Sequence, residues 1–215
     1  MPGLVPGIHV LCQSEDVDGR DEPGHDAVDR SLALMPGIDE SRQFIPLKIA
    51  VLTVSDTREL KDDKSGATLV ERIERAGHSI AGRAIVRDDV AAIRAQMKDW
   101  IADPAIDVII STGGTGFTGR DVTPEAVEPL FDKRMEGFAT LFLMASHGKI
   151  GTSAIQTRAT AGVAGATYIF CLPGSPGACK DAWDEILAHQ LDYRYRPCNF
   201  VEIMPRLDEH LRRRS

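Results

Sequence analysis

The stretch Asp107-Val-Ile-Ile-Ser-Thr-Gly-Gly-Thr-Gly-Phe-Thr-Gly-Arg-Asp-Val-Thr-Pro-Glu-Ala-Val127 places a strand, a glycine turn and a helix start in immediate succession. Val108-Ile109-Ile110 is β-branched and does not alternate with polar residues, the pattern of a short strand covered on both faces. The chain must then turn sharply. Gly113, Gly114, Gly116 and Gly119 are expected to supply left-handed conformations and to let a ligand oxygen approach backbone N–H groups with no Cβ in the way. Thr123 is the expected N-cap and Pro124 the first helical residue, so free amide donors and the positive dipole end would face the same side as the turn. Such a junction suits an anion.

Two familiar glycine motifs fit badly. Gly114, Gly116 and Gly119 satisfy G-x-G-x-x-G, but a dinucleotide fold opens its helix inside that motif and follows it with a second strand ending in an acid about 20 residues on. Here the helix opens at Pro124. Val127, Leu130, Phe131, Met135 and Phe138 then continue at helical spacing, with a kink expected at Pro129. Gly114 and Gly119 also span a Walker-like frame, but Arg120-Asp121 stands where Lys-Ser/Thr is needed, so a P-loop is excluded.

Outward from this segment the chain alternates strand-like and helix-like stretches. Lys48 to Val54 reads as the first strand. Ser65 is the expected cap of a helix carrying Leu69, Val70 and Ile73 and stopping at Gly77. Ser79 to Val86 reads as a strand, Ile93, Met97, Trp100 and Ile101 as one helical stripe ending near Pro104, and Thr167 to Leu172 as another strand. Ser175-Pro176 caps a closing helix with Ala178, Ala182, Trp183, Ile186 and Leu187 on one face. This order predicts an α/β protein, a three-layer α/β/α sandwich around a mostly parallel central sheet. Strand C-termini would then deliver Ser55-Asp56, Asp88-Asp89, Thr112-Gly-Gly-Thr115 and Pro173-Gly-Ser175 to one rim, where open sheets bind ligands.

The 215 residues suffice for one domain, with 43% hydrophobic and 27% charged side chains. No run approaches the roughly 18 apolar residues of a membrane span, so no membrane partner is expected. The net charge of −7 is uneven, because residues 1–42 hold nine acidic and three basic side chains and leave 23 acidic and 22 basic ones beyond. A nearly neutral remainder argues against nucleic acid as partner. Residues 1–42, acidic and rich in Pro and Gly, are expected to be a disordered extension, with Met35 a candidate natural start; residues 43–203 form the expected domain and 204–215 a basic tail. Cys12, Cys171, Cys179 and Cys198 form no C-x-x-C pair and no secretory signal is visible, which favours reduced thiols and a cytoplasmic protein, with Cys171 in a strand core.

Ser111-Thr-Gly-Gly-Thr-Gly116, Arg120-Asp-Val-Thr-Pro-Glu-Ala126 and Leu172-Pro-Gly-Ser-Pro176 resemble the molybdenum cofactor biosynthesis domain shared by Mog, MoaB and gephyrin-type proteins. The MoaB branch is nearest, through Phe44-Ile-Pro46, Thr53-Val-Ser-Asp56, Asp63-Lys-Ser-Gly66, Ile150-Gly-Thr-Ser153, Arg158-Ala-Thr-Ala-Gly162 and Arg196-Pro-Cys-Asn-Phe200. The match covers about residues 44–200.

The resemblance implies a molybdopterin-binding fold and a molybdopterin adenylyltransferase, in which the pterin's terminal phosphate attacks the α-phosphate of ATP and pyrophosphate leaves. It further implies a homotrimer or a hexamer of trimers, and a molybdate-insertion protein as recipient of the product. Carboxylates beside phosphates call for a hard cation, and Mg²⁺ fits. Asp88 and Asp121 are the expected catalytic and Mg²⁺-organising residues. Asp89 rivals Asp88, helix capping is the plainer role for Asp88, and a turn hydrogen bond the plainer role for Asp121.

Expected contacts to nucleotide or pterin are Ser55, Thr112, Gly113, Gly114, Thr115, Gly116, Arg120, Thr157, Arg158, Pro173, Gly174 and Ser175. Lys149 is a weaker candidate, and Asp56 with Arg58 reads more plainly as a surface pair than as a nucleotide contact. Thr157 stands where the family often has Ser before Arg. The alternative function is a nucleotide- or molybdopterin-binding protein of the same pathway without transferase activity.

Overall fold

The structure, a computed structural model, describes residues 36–209. The expectations of disorder over residues 1–35 and of a start at Met35 lie outside the described residues. Elements follow in the order β1 Gly37–Ile38, β2 Lys48–Val54, α1 Lys64–Arg75, β3 Ser79–Val86, α2 Val90–Ile101, β4 Val108–Thr112, α3 Thr123–Val127, β5 Lys133–Arg134, α4 Glu136–Ile150, β6 Thr160–Ala164, β7 Thr167–Leu172, α5 Pro176–Ala182, α6 Ala188–Gln190, β8 Tyr195–Arg196 and α7 Phe200–Ile203. A π-helical turn, Trp183–Leu187, joins α5 to α6.

Six strands form the central sheet in the order β3-β2-β4-β7-β6-β5. β3, β2, β4 and β7 run parallel, and β6 is antiparallel to both β7 and β5. The middle strands are apolar on both faces because both are covered. Ile49, Val51, Val108 and Ile110 point into one core with α1, α4 and α5, while Ala50, Leu52, Val54 and Ile109 point into the other with α2 and α3. This is the predicted three-layer α/β/α sandwich. No described helix is long and apolar enough to cross a membrane.

Several local expectations are corrected. The helix expected to run from Pro124 through Phe138 stops at Val127, passes through a 3-10 turn at Glu128–Leu130 and gives way to β5 before α4 begins. Pro129 lacks the N–H that an α-helix would need there, and Lys133 and Arg134 pair instead with Val163 and Gly162. β6 lies at Thr160–Ala164, a strand the residue pattern does not announce; Gly162 is there because a Cβ would meet the Phe131 ring at 2.4 Å. The cap of α1 is Asp63, whose Oδ1 accepts the Gly66 amide at 2.8 Å, not Ser65. Residues before 43 also belong to the fold, since Gly37–Ile38 pair with Tyr195–Arg196 and Arg42 bonds Glu202.

Candidate functional site

The parallel strands end on one rim, and their following loops enclose a cleft of about 440 Å³. After β2, the Ser55 hydroxyl accepts the amides of Thr57 and Arg58, both at 3.3 Å, and so shapes that loop. After β3, the two adjacent acids divide. Asp89 caps α2 by accepting the Ala92 amide at 2.8 Å, which leaves Asp88 to line the cleft. The capping role considered for Asp88 therefore falls to its neighbour.

After β4 comes the glycine turn. Gly113 has φ +107° and a Cβ there would stand 2.2 Å from the Val54 carbonyl oxygen, so no other residue fits without moving β2. Gly114 also has positive φ, and a Cβ on it would come within 3.0 Å of an Asp88 carboxylate oxygen. Contrary to expectation, Gly116 and Gly119 do not adopt positive φ. Gly116 is required for closeness instead, since a Cβ would lie 2.8 Å from Asp121 Oδ2. The two carboxylates thus flank one short backbone run: Asp88 stands over Gly114 and Asp121 over Gly116.

Thr123 is not the cap of α3. Val122 occupies that position, and the Thr123 hydroxyl donates to the Gly113 carbonyl at 2.8 Å, pinning the turn from beneath. Thr112 is likewise drawn away from the ligand side. It is fully buried, and its hydroxyl donates at 2.8 Å to the Pro173 carbonyl, tying the ends of β4 and β7 together. Ser175 caps α5 as expected, accepting the Ala178 amide at 3.2 Å.

Of the expected contacts, Ser55, Gly113, Gly114, Thr115, Gly116, Thr157, Pro173, Gly174 and Ser175 line the cleft together with both acids, Asp88 and Asp121. Thr112, Arg120 and Arg158 do not. Arg120 donates Nε and Nη2 to Asp56 Oδ2 at 3.0 and 2.5 Å. The pairing of Asp56 with Arg58 is therefore replaced by a pairing with Arg120. Arg158 braces the turn from behind, donating to the carbonyls of Gly116 and Asp121, both at 2.8 Å, and pairing with Glu125. Lys149 is held by Asp181 and Glu185, away from the cleft. Thr57, Arg58 and Gln156 also line the cleft. Arg58 had a signal, its place just after the Ser55-Asp56 rim, whereas nothing in the residue pattern marks Thr57 or Gln156.

The two acids differ electrically. Burial, reinforced by the charges of Asp56 and Asp121, pushes the Asp88 carboxyl above the ordinary carboxylate range. Burial acts the same way on Asp121, but hydrogen bonds from the Thr118 hydroxyl and amide and from Gly116, with the charge of Arg158, outweigh it and leave that carboxyl below the ordinary range. Asp121 Oδ2 accepts from the Thr118 amide at 2.9 Å and its hydroxyl at 2.6 Å, so the turn role considered for it is present alongside its place in the cleft. Among the described residues no cluster of three or more His, Cys, Asp or Glu side chains could hold a metal by itself. A cation here would need ligand oxygens from elsewhere.

Fold and cleft define a three-layer α/β/α protein with a glycine-floored, acid-flanked site at the rim of its sheet. The family described as probable molybdopterin binding domain matches residues 50–193, and the chain belongs to it. It is 52% identical over 160 residues, 74% of this chain and 94% of the other, to molybdenum cofactor biosynthesis protein B of Escherichia coli K12. The protein of that name from Bacillus subtilis is 41% identical over 162 residues, 74% of this chain and 95% of the other. A crystal structure of a molybdenum cofactor biosynthesis protein B superposes with a TM-score of 0.67 at 34% identity, covering 80% of this chain and 99% of that one.

Proposed function

We propose that the chain acts in molybdenum cofactor biosynthesis as a molybdopterin adenylyltransferase with ATP as co-substrate and Mg²⁺ as cofactor. The observation that carries this reading is the placement of Asp88 and Asp121 over Gly114 and Gly116 of one glycine turn in the cleft. The terminal phosphate oxygen of molybdopterin forms a bond to the α-phosphorus of ATP, the bond from that phosphorus to the bridging oxygen breaks, and pyrophosphate leaves. A phosphomonoester is largely ionised near neutrality, its second pKa being about 6, so the protein has no need of a strong base. Its work is to align the two reactants and offset their charge.

Asp88 and Asp121 fit a magnesium ion that takes a few carboxylates and completes its shell with phosphate oxygens and water. The raised pKa of Asp88 supports this, because a carboxyl that is buried among like charges gains most from a cation. When bound, Mg²⁺ supplies neutralisation of phosphate charge. The chain's own parts do the positioning: the Gly113–Gly116 backbone admits phosphate oxygens closely, Thr115 and Thr157, with hydroxyls 3.2 Å apart, present donors, and Gly174 with Ser175 line the cleft beside the turn. Arg158 braces the turn through the Gly116 and Asp121 carbonyls, and Arg120 holds Asp56 in the loop after β2.

The reading includes a homotrimer or hexamer and a cytoplasmic setting, with a molybdate-insertion protein as recipient. Exposed Leu141, Leu143, Met144, Ile150 and Ile155 on and after α4 support self-association. Incubation of the purified protein with molybdopterin, ATP and Mg²⁺ tests the transfer. Adenylylated molybdopterin and pyrophosphate in equal amounts are expected; binding of both substrates with no product would make this a binding protein of the pathway.

A further inference from the structure

We infer that Arg58 holds the outer phosphates of the nucleotide, the pyrophosphate that leaves; the assignment rests on the adenylyl-transfer reading above and deepens it. Among the residues that line the cleft, which include the carboxylates of Asp88 and Asp121, Arg58 is the one Lys or Arg. The other cations named for the region are committed elsewhere: Arg120 to Asp56, Arg158 to Glu125 and two carbonyls, Lys149 to Asp181 and Glu185. Among the described residues the Arg58 guanidinium makes its hydrogen bonds through Nη1, to the Gly174 carbonyl and the Ser65 hydroxyl, both at 3.2 Å. A guanidinium carries five N–H donors in a rigid fork, so the Nε and Nη2 edge remains for a ligand.

Its anchoring is built rather than incidental. The Ser55 hydroxyl accepts the Arg58 amide, fixing the backbone, and Ser65 donates at 2.8 Å to the same Gly174 carbonyl, fixing the wall on which the guanidinium rests. Arg58 thereby bridges the loops after β2 and β7, whereas Asp88 and Asp121 touch the loop after β4 at Gly114 and Gly116. A triphosphate in this cleft meets carboxylates at one place and a cation at another. Its most negative end belongs with the cation, and the α-phosphate, where attack occurs, with the acids. Negative charge grows on the pyrophosphate as its bond to the α-phosphorus breaks, so a guanidinium there stabilises the transition state more than the ground state.

Calorimetric titration of the full chain with ATP and with AMP, in Mg²⁺, tests the assignment on wild type, Arg58→Ala, Arg58→Lys and Ser65→Ala. Loss of a charge-assisted contact should weaken ATP binding by Arg58→Ala on the order of 10- to 100-fold, with AMP affinity within about twofold of wild type. Arg58→Lys should recover part of the loss, and Ser65→Ala, which disturbs the same carbonyl without removing charge, should leave the ATP-to-AMP ratio unchanged. Equal weakening of ATP and AMP by Arg58→Ala would make Arg58 a purely structural bridge and overturn the inference. Unaltered ATP binding would overturn it while leaving the adenylyl-transfer reading intact. Wild type that binds neither nucleotide would overturn both.

Discussion

Asp88 and Asp89 are adjacent in the chain, and only Asp89 turns its carboxylate onto the Ala92 amide, 2.8 Å away. The division predicts opposite outcomes. Asp89→Ala should lower stability by about 1 kcal/mol, the ordinary cost of a lost N-cap, and leave transfer activity unchanged. Asp88→Asn should keep or raise the denaturation midpoint, because it removes a charge that burial and Asp56 disfavour, and should abolish most transfer. Chemical denaturation and a pyrophosphate assay on both variants check the pair. Another residue-scale prediction concerns His78, which is buried beside Phe44 and Trp183 and accepts the Leu47 amide through Nδ1. Burial pushes its pKa down to about 4, opposed by Asp192. The unfolded chain therefore takes up a proton near pH 6.5 that the folded chain refuses, and stability falls as pH drops from about 6.5 toward 4. This residue alone should make the protein about 2 kcal/mol less stable at pH 5 than at pH 7, and His78→Gln should remove that share of the difference in denaturant titrations. At this scale the acids were legible as a pair of types at a strand end, but the choice between Asp88 and Asp89 was not. A single-residue register decides which side chain reaches the amide and which the cleft.

At the scale of elements, strands and caps that answer to local chemistry were readable. β3 and β7 lie where their apolar runs begin and end, and Ser175-Pro176 opens α5. What was unreadable depends on partners distant in the chain. Helical spacing from Val127 to Phe138 is interrupted because Lys133–Arg134 find an edge at β6, and no local periodicity reports that edge. The glycine turn belongs with the legible features, although only Gly113 and Gly114 use positive φ and Gly116 serves to admit Asp121. Gly113→Ala would combine a strained backbone with a Cβ 2.2 Å from the Val54 carbonyl oxygen. It should cost more than about 3 kcal/mol or prevent folding, visible as a loss of cooperative unfolding.

At the scale of the whole molecule, the three-layer sandwich concentrates the ends of its parallel strands on one rim, and α4 and the turn after it expose large apolar side chains. Leu143, Met144, Ala154 and Ile155 line an apolar hollow of about 530 Å³ there. If copies of the chain associate through it, Met144→Asp with Ile155→Asp should convert a trimer or hexamer into monomers by light scattering, and an unchanged mass would place the interface elsewhere. The rim supports the larger claim, that two carboxylates over one glycine turn organise a divalent ion and two phosphate groups for adenylyl transfer. Pyrophosphate release from molybdopterin and ATP in Mg²⁺ by wild type and Asp121→Asn, whose amide oxygen can still accept the Thr118 bonds, tests it most directly. The variant should be folded, bind molybdopterin, and turn over on the order of a hundredfold or more slowly. A variant that releases pyrophosphate at the wild-type rate would contradict the account.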